Sequence, residues 1–196
     1  HTIKKENKVS KLVQQIQTNH KFGLTGTLPD NKPDEWNILG KIGSVIYDKD
    51  SYALRLENYL TNVKVSIIEP KYKIKPAYNT DNHYREELDF IYTNDYRNNL
   101  IKNICNNFGN NSLILVNHLA HGDSLYNKLS EISDKQVFFV KGEVEVEERD
   151  RVKKIMETNN NVICIAMTSI FSTGINIKNI HMIMFASGGK SFIRTI

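Results

Sequence analysis

Short apolar runs alternate with amphipathic stretches throughout the second half of the chain. The runs predict buried strands at residues 113–116, 136–140, 162–167 and 180–186. Apolar positions at helical spacing predict helices at 95–108, 122–132 and 147–158. Continuous apolar strands that alternate with helices are typical of a parallel sheet covered on both faces, so the predicted fold class is α/β.

The first half of the chain has a weaker pattern. It predicts a helix over residues 9–16, a short strand at 22–24, a loose helix at 36–42 and a strand at 61–70. Residues 71–85 are polar and contain Pro76, which favours a linker. We therefore predict two domains, at 1–75 and 85–196. The first is too short for a complete α/β domain and is interpreted as the end of one.

Composition narrows the class of protein. The chain has 196 residues, 40% of them hydrophobic, and a formal net charge of +4, which permits a nucleic-acid partner without requiring one. No apolar stretch is long enough to span a bilayer, and we predict a cytoplasmic protein. The two cysteines, Cys105 and Cys164, stand among apolar neighbours and predict reduced core thiols. His118 and His121 lie three residues apart, but no third ligand accompanies them, so no metal site is predicted.

Small and polar residues follow several of the predicted strands. In parallel α/β sheets, function gathers at the carboxyl ends of the strands. The stretches there are Thr25-Gly26-Thr27, Asn117-His118 and the segment from Thr168 to Asn176 that includes Thr173 and Gly174. Their hydroxyls, amides and backbone N–H groups can meet phosphate oxygens or sugars. Each stretch taken singly is weak evidence, since Thr-Gly-Thr also suits an ordinary turn.

One phosphate-binding motif is incomplete. The segment Ser187-Gly-Gly-Lys-Ser191 resembles the end of a Walker A loop, GxxxxGK[ST]. The first glycine of that pattern falls at Met184, which is poorly suited to the tight turn required there. A basic surface loop around Lys190 is the preferred interpretation.

The spacing of Thr168, Gly174 and Asn176 resembles motif V of superfamily 2 helicases. Thr25-Gly26-Thr27 is similar to motif III, the strand SLILVNH to motif IV, and VKGEVEVEERDRV to the segment between motifs IV and V. In particular, the stretches "GLTGTL", "KGEV…R" and "FSTGI", followed by a basic "KS" loop, resemble phage recombination helicases of the UvsW type. The resemblance covers the chain from about residue 20 to its end.

The resemblance implies a RecA-like helicase domain, truncated, preceded by the C-terminal part of another. His1 would be the histidine of a DExH box, and motif VI would begin after Ile196. The implied function is part of an ATP-dependent DNA helicase or translocase acting on branched DNA or recombination intermediates, with ATP and Mg²⁺ used by the parent protein. The implied roles are coupling of ATP hydrolysis to DNA for Thr25, Gly26 and Thr27; nucleotide contact for Asn176; and DNA contact for Asn117, His118, Thr168, Thr173, Gly174 and Lys190.

Two alternatives stay open at this point. One is a helicase-derived nucleic-acid-binding module without ATPase activity. The other is an unrelated parallel α/β enzyme for a small phosphorylated substrate. Walker A, the Mg²⁺-binding acidic pair and the arginine finger are absent from the sequence, and we expect no ATP hydrolysis by these residues alone. Asn176 and Ser169 stand where many relatives carry Asp.

Overall fold

The structure is a computed structural model that describes residues 7–26, 28–29, 31–71, 81–131, 134–141, 146–171 and 177–187. It divides into two compact units, His1–Ile67 and Ile68–Ile196. The longest helices in the described ranges have 13 residues, and none has both the length and the apolar character needed to cross a bilayer.

The described part of the first unit is helical. Its helices are α1 (Lys8–Gln15), α2 (Lys32–Ile42) and α3 (Ser51–Leu56). Each begins after a capping side chain, Asn7, Asn31 or Asp50, that accepts a hydrogen bond from the backbone N–H three residues later. The predicted helices over 9–16 and 36–42 are confirmed in type and approximate position, whereas α3 was not predicted.

The strands predicted at 22–24 and 61–70 are wrong. Both segments are described, and neither forms a strand. Leu24 and Ile67 are almost fully exposed, and Val65 is 75% exposed. The apolar pattern suits a strand, but a strand also needs a neighbour for its backbone N–H and C=O groups. The described residues of this unit contain no other strand that could pair with them.

The second unit alternates helices and strands. Its elements are α4 (His83–Thr93), α5 (Asp95–Asn107), β1 (Ser112–Val116), α6 (Leu119–Ser130), β2 (Gln136–Val140), α7 (Val146–Thr158), β3 (Val162–Met167), α8 (Thr168–Phe171) and β4 (Met182–Phe185). All four predicted strands are confirmed, β2 and β3 to the residue. The linker predicted over 71–85 is wrong at its end, because α4 begins at His83.

The strands form one parallel sheet in the order β2-β3-β1-β4. The predicted parallel α/β architecture is therefore confirmed. Alternate side chains of β1 and β3 point to opposite faces, so Ile114 and Ile165 pack with Leu125 of α6, while Leu115 and Cys164 lie on the face covered by α7. Both cysteines are free and buried, and burial raises the pKa of each thiol to about 12.

A buried asparagine organises the amino ends of the strands. The side-chain N–H groups of Asn111 are shared among the carbonyls of Met156, Asn159 and Asn179, at 2.7–2.9 Å. Its side-chain oxygen accepts from the Val162 N–H at 2.9 Å. One side chain thus joins the end of α7 to the segments that enter β1, β3 and β4, which fixes this edge of the sheet.

Candidate nucleic-acid interface

The carboxyl ends of β1, β3 and β4 meet because β1 lies between the other two strands. The Thr168 hydroxyl donates to the Val116 carbonyl over 3.1 Å, which joins the ends of β3 and β1. The Asn117 backbone N–H donates to the Ser187 hydroxyl oxygen over 3.1 Å, which joins the ends of β1 and β4. Residues at or just beyond the ends of the three strands are therefore connected into one edge.

Thr168 lies at this edge as the first residue of α8, and it is half-buried. The sequence predicts that its hydroxyl lies at the end of a strand and contacts the DNA backbone. In the structure the hydroxyl proton is directed to Val116, so this group stabilises the junction between two strands. The DNA contact of Thr168 stays a prediction.

Asn117 and His118 are both exposed where the chain leaves β1 and enters α6. His118 occupies the N-cap position of α6, but its side chain makes no capping hydrogen bond. Its ring instead packs against the ring of Tyr92, with the centroids 4.6 Å apart and the planes inclined by 38°. The two predicted residues thus stand side by side on the surface of this edge.

A buried polar layer lies directly beneath them. The Tyr92 ring stacks on His121 at 5.1 Å, and its hydroxyl lies beside the Ser187 side chain. Asn98 donates to the Tyr92 carbonyl over 2.9 Å and accepts from the His121 ring nitrogen Nε2 over 3.1 Å. Arg97 donates to the Ala186 carbonyl. This layer ties α4 and α5 to the strand ends.

Sequence reasoning missed this layer. His121 was weighed only as a metal ligand, and Tyr92 fell in a segment with no predicted element. The signal for α4 was present, because Leu88, Ile91 and Tyr92 follow helical spacing after Asn82, which caps the helix through the Arg85 N–H.

Two side chains of the layer, His121 and Tyr92, have shifted pKa values. Burial, together with the nearby Arg97 and His118 side chains, lowers the pKa of His121 to about 4. Burial raises the pKa of Tyr92. At neutral pH both side chains are therefore uncharged, so neither of them adds a buried charge to the layer.

The remaining predicted site residues are placed only in part. Thr25 and Gly26 are exposed in the first unit. The other predicted residues lie outside the described ranges, and these are His1, Thr27, Thr173, Gly174, Asn176 and Lys190. Met184, which replaces the first glycine of the incomplete Walker pattern, lies inside β4 and so not in a tight turn.

Within the ranges that the structure describes, no three His, Cys, Asp or Glu side chains come together as a possible metal site. These residues therefore do not form a Mg²⁺ site.

Comparison with known proteins identifies the family. The model of the helicase conserved C-terminal domain matches residues 95–193. The ATP-dependent DNA helicase uvsW of Enterobacteria phage T4 is 30% identical over 182 residues, which are 88% of this chain and 35% of that protein. The chain thus spans about a third of the length of this curated relative.

Two solved structures resemble the chain to different extents. The crystal structure of T4 UvsW is similar with a TM-score of 0.51 and 31% identity, over 57% of this chain and 23% of that chain. Saccharomyces cerevisiae Dbp5 bound to RNA and ADP BeF3 gives a TM-score of 0.40 and 22% identity, over 50% of this chain and 25% of that chain. On the family match and the T4 relative, the chain belongs to the helicase conserved C-terminal domain family, within the superfamily 2 helicases of the UvsW type.

Proposed function

We propose that the chain is part of an ATP-dependent DNA helicase or translocase that acts on branched DNA or recombination intermediates in a bacterial or phage-infected cell. Residues 1–75 would be the end of the first RecA-like domain, and 85–196 most of the second. Family membership supports this assignment and favours it over an unrelated α/β enzyme.

The observation that carries the proposal is the junction of three strand ends. Asn117, Thr168 and Ser187 are connected there, and Asn117 and His118 are exposed beside them. A ligand at this edge meets the amide of Asn117 and the imidazole of His118, without a carboxylate at either position. Such uncharged groups position a phosphate backbone without reading its sequence. Thr173, Gly174 and Lys190 are proposed to extend the same DNA contact.

The nucleotide roles rest on the motif resemblance. Asn176 is proposed to face ATP, and Thr25, Gly26 and Thr27 to couple its hydrolysis to DNA movement. ATP is then the substrate of the parent protein and Mg²⁺ its cofactor, held by residues other than those described here. We expect the 196-residue chain to show no ATPase activity above background, with or without DNA.

A charge substitution tests the DNA contact. Asn117→Asp keeps the size of the side chain and adds a negative charge beside the bound phosphates. Its interaction with a phosphate about 4 Å away is repulsive by roughly 1–4 kcal/mol. We expect the affinity for a single-stranded oligonucleotide to fall at least about fivefold, as measured by fluorescence anisotropy with the 196-residue chain.

The matched control is Asn110→Asp. Asn110 is exposed just before β1, so the two variants place the same charge at opposite ends of a strand about 16 Å long. The control should bind DNA like the parent. Equal losses in both variants would indicate a general charge effect, and no loss in either would place the DNA elsewhere. DNA-stimulated ATP turnover by the chain itself would instead contradict the nucleotide roles given above.

A further inference from the structure

The His118 side chain is exposed, aromatic and held in place from below. Its ring rests on Tyr92 at 4.6 Å, and its own side chain is not used to cap α6. Asn117 carries an amide and Thr168 a hydroxyl at this edge. Of the two exposed residues that follow β1, His118 is the one with a ring.

Tyr92 is itself fixed by contacts on several sides. It is 8% exposed, its ring stacks on the buried His121, and its hydroxyl lies beside the Ser187 side chain. Its carbonyl accepts from Asn98 over 2.9 Å. The support of His118 is therefore adjacent to the same Ser187 that receives the Asn117 N–H. A ring supported in this way loses little conformational freedom when a ligand covers it.

We propose that His118 is a base-stacking contact, on which a nucleobase of the single-stranded DNA rests while Asn117 and Thr168 lie along its backbone. This inference rests on the proposed function. Bases stack on His, Phe, Tyr and Trp rings in single-strand binding sites, and such contacts tolerate any base because every base has a π-face. His118 would then bind the base, and Tyr92 would be the positioning residue that holds the imidazole ring.

The test separates a base contact from a phosphate contact. His118→Ala should bind a single-stranded oligonucleotide about tenfold more weakly than the parent chain. His118→Phe keeps a ring without any charge and should restore affinity to within about threefold of the parent. On a strand of the same length whose central nucleotides are abasic, the parent and His118→Ala should bind alike, because the ring then has no base to cover.

His181→Ala is the matched control. His181 is exposed just before β4, at the opposite, amino edge of the sheet. Its backbone N–H donates to the Asn111 carbonyl over 3.2 Å. This variant should bind both oligonucleotides like the parent. Since the His118 side chain makes no capping bond, His118→Ala should lose only its contact with Tyr92, so its stability should fall by no more than about 1 kcal/mol and the variant should stay folded.

The outcomes distinguish the two proposals. If the parent binds DNA but His118→Ala binds it equally well, the stacking contact is wrong and the proposed function stands. If His118→Ala is weak and His118→Phe is equally weak, the imidazole acts through its nitrogens or its charge, and stacking is again wrong. If the parent binds no oligonucleotide, the proposed DNA contact fails together with this inference.

Discussion

The two edges of the same parallel sheet use their polar residues differently. At the amino edge, Asn111 is fully buried, and both its amide nitrogen and its oxygen are bonded to backbone groups at 2.7–2.9 Å. At the carboxyl edge, Asn117 and His118 are exposed, and the buried His121 has no hydrogen-bond partner for Nδ1 among the described residues. The central asparagine of the amino edge is occupied by hydrogen bonds within the fold, whereas the two residues that follow β1 at the carboxyl edge present their side chains to solvent.

The difference separates residues that maintain the fold from residues available to a ligand. A buried amide is tolerated when its hydrogen bonds are satisfied, and such a network specifies one arrangement of the elements around it. Side chains at the carboxyl edge are connected below the surface through Ser187 and Tyr92, while those above remain accessible. Removal of the bonded Asn111 side chain at the amino edge should therefore affect stability, whereas substitutions of the exposed residues at the carboxyl edge should affect binding more than stability.

The largest effect is expected for Asn111→Ala. The substitution leaves the Val162 N–H and several carbonyls buried without this partner, and each such group costs about 1–3 kcal/mol. Asn179 continues to bond two of these carbonyls, so we expect a total loss of about 3 kcal/mol in the free energy of unfolding. Urea unfolding followed by circular dichroism would measure it.

The control for this variant is the exposed neighbour Asn110, whose replacement by Ala should change stability by less than about 0.5 kcal/mol. An equal loss for Asn110→Ala and Asn111→Ala would show that the amino edge does not depend on the buried amide. The proposed difference between the two edges would then not hold for the amino edge.

Low pH should lower the stability of the folded protein because the imidazole ring of His121 is buried at the carboxyl edge. The pKa of His121 is about 4 in the folded protein, below the ordinary value of 6.5. Between pH 6.5 and 4 the unfolded chain binds a proton that the folded chain does not, so stability is complete above pH 6.5 and declines as the pH falls. The decline attributable to His121 should reach up to about 3 kcal/mol near pH 4.

Comparison with a variant isolates this contribution from the carboxylates. His121→Gln keeps a donor for Asn98 and removes the titrating ring, so its stability should fall less steeply over the same pH range. Unfolding curves at several pH values would measure both slopes. Parallel slopes for the parent and the variant would mean that His121 titrates normally in the folded protein.

The sequence predicts the second unit well because its strands are continuous apolar runs. The bounds of β2 and β3 match the prediction, and their side chains pack against helices on both faces, as such runs require. The same reasoning failed at 61–70, where a similar apolar pattern forms no strand among the described residues. The hydrophobic pattern identifies which side chains favour burial, but strand pairing depends on a neighbouring strand that lies elsewhere in the chain.

The candidate site could be predicted only for residues that directly follow a strand. Asn117, His118 and Thr168 do so, and the structure brings them to one edge. Tyr92 and His121 reach this edge from helices α4 and α6, and their contact depends on how those helices pack. No local spacing specifies such a contact, so the layer under the surface became visible only in three dimensions.

A glycine in α6 allows the helix that follows His118 to approach the sheet. A methyl group added at Gly122 would overlap the ring of Phe139 on β2. Gly122→Ala gains about 1 kcal/mol of helix propensity but displaces a half-buried ring, and overpacking costs about 1–3 kcal/mol. We expect a net loss of about 1 kcal/mol in urea unfolding.

A second substitution on β2 tests the cause. In the double variant Gly122→Ala, Phe139→Leu, the smaller side chain should accept the methyl group, so the double variant should lose less than the sum of the single losses. Strict additivity would show that Gly122 and Phe139 are not in steric conflict. The position of α6, and with it that of His118, would then depend on other contacts.

The smallest expected effect compares two serines at opposite edges. Ser187 accepts the Asn117 N–H and lies beside Tyr92, so Ser187→Ala should lose about 1 kcal/mol of stability and weaken DNA binding a few fold, because the support of Asn117 and His118 loosens. Ser112 begins β1 at the amino edge and is fully buried, and its hydroxyl has no partner among the described residues. Ser112→Ala removes an unsatisfied polar group and should leave stability unchanged or raise it by up to about 1 kcal/mol, with DNA binding unaffected. Both serines are buried, and each substitution removes one oxygen atom. The change in side-chain volume therefore cannot explain opposite effects on stability. A loss of stability in Ser112→Ala equal to that in Ser187→Ala would show that a buried hydroxyl matters equally at the two edges.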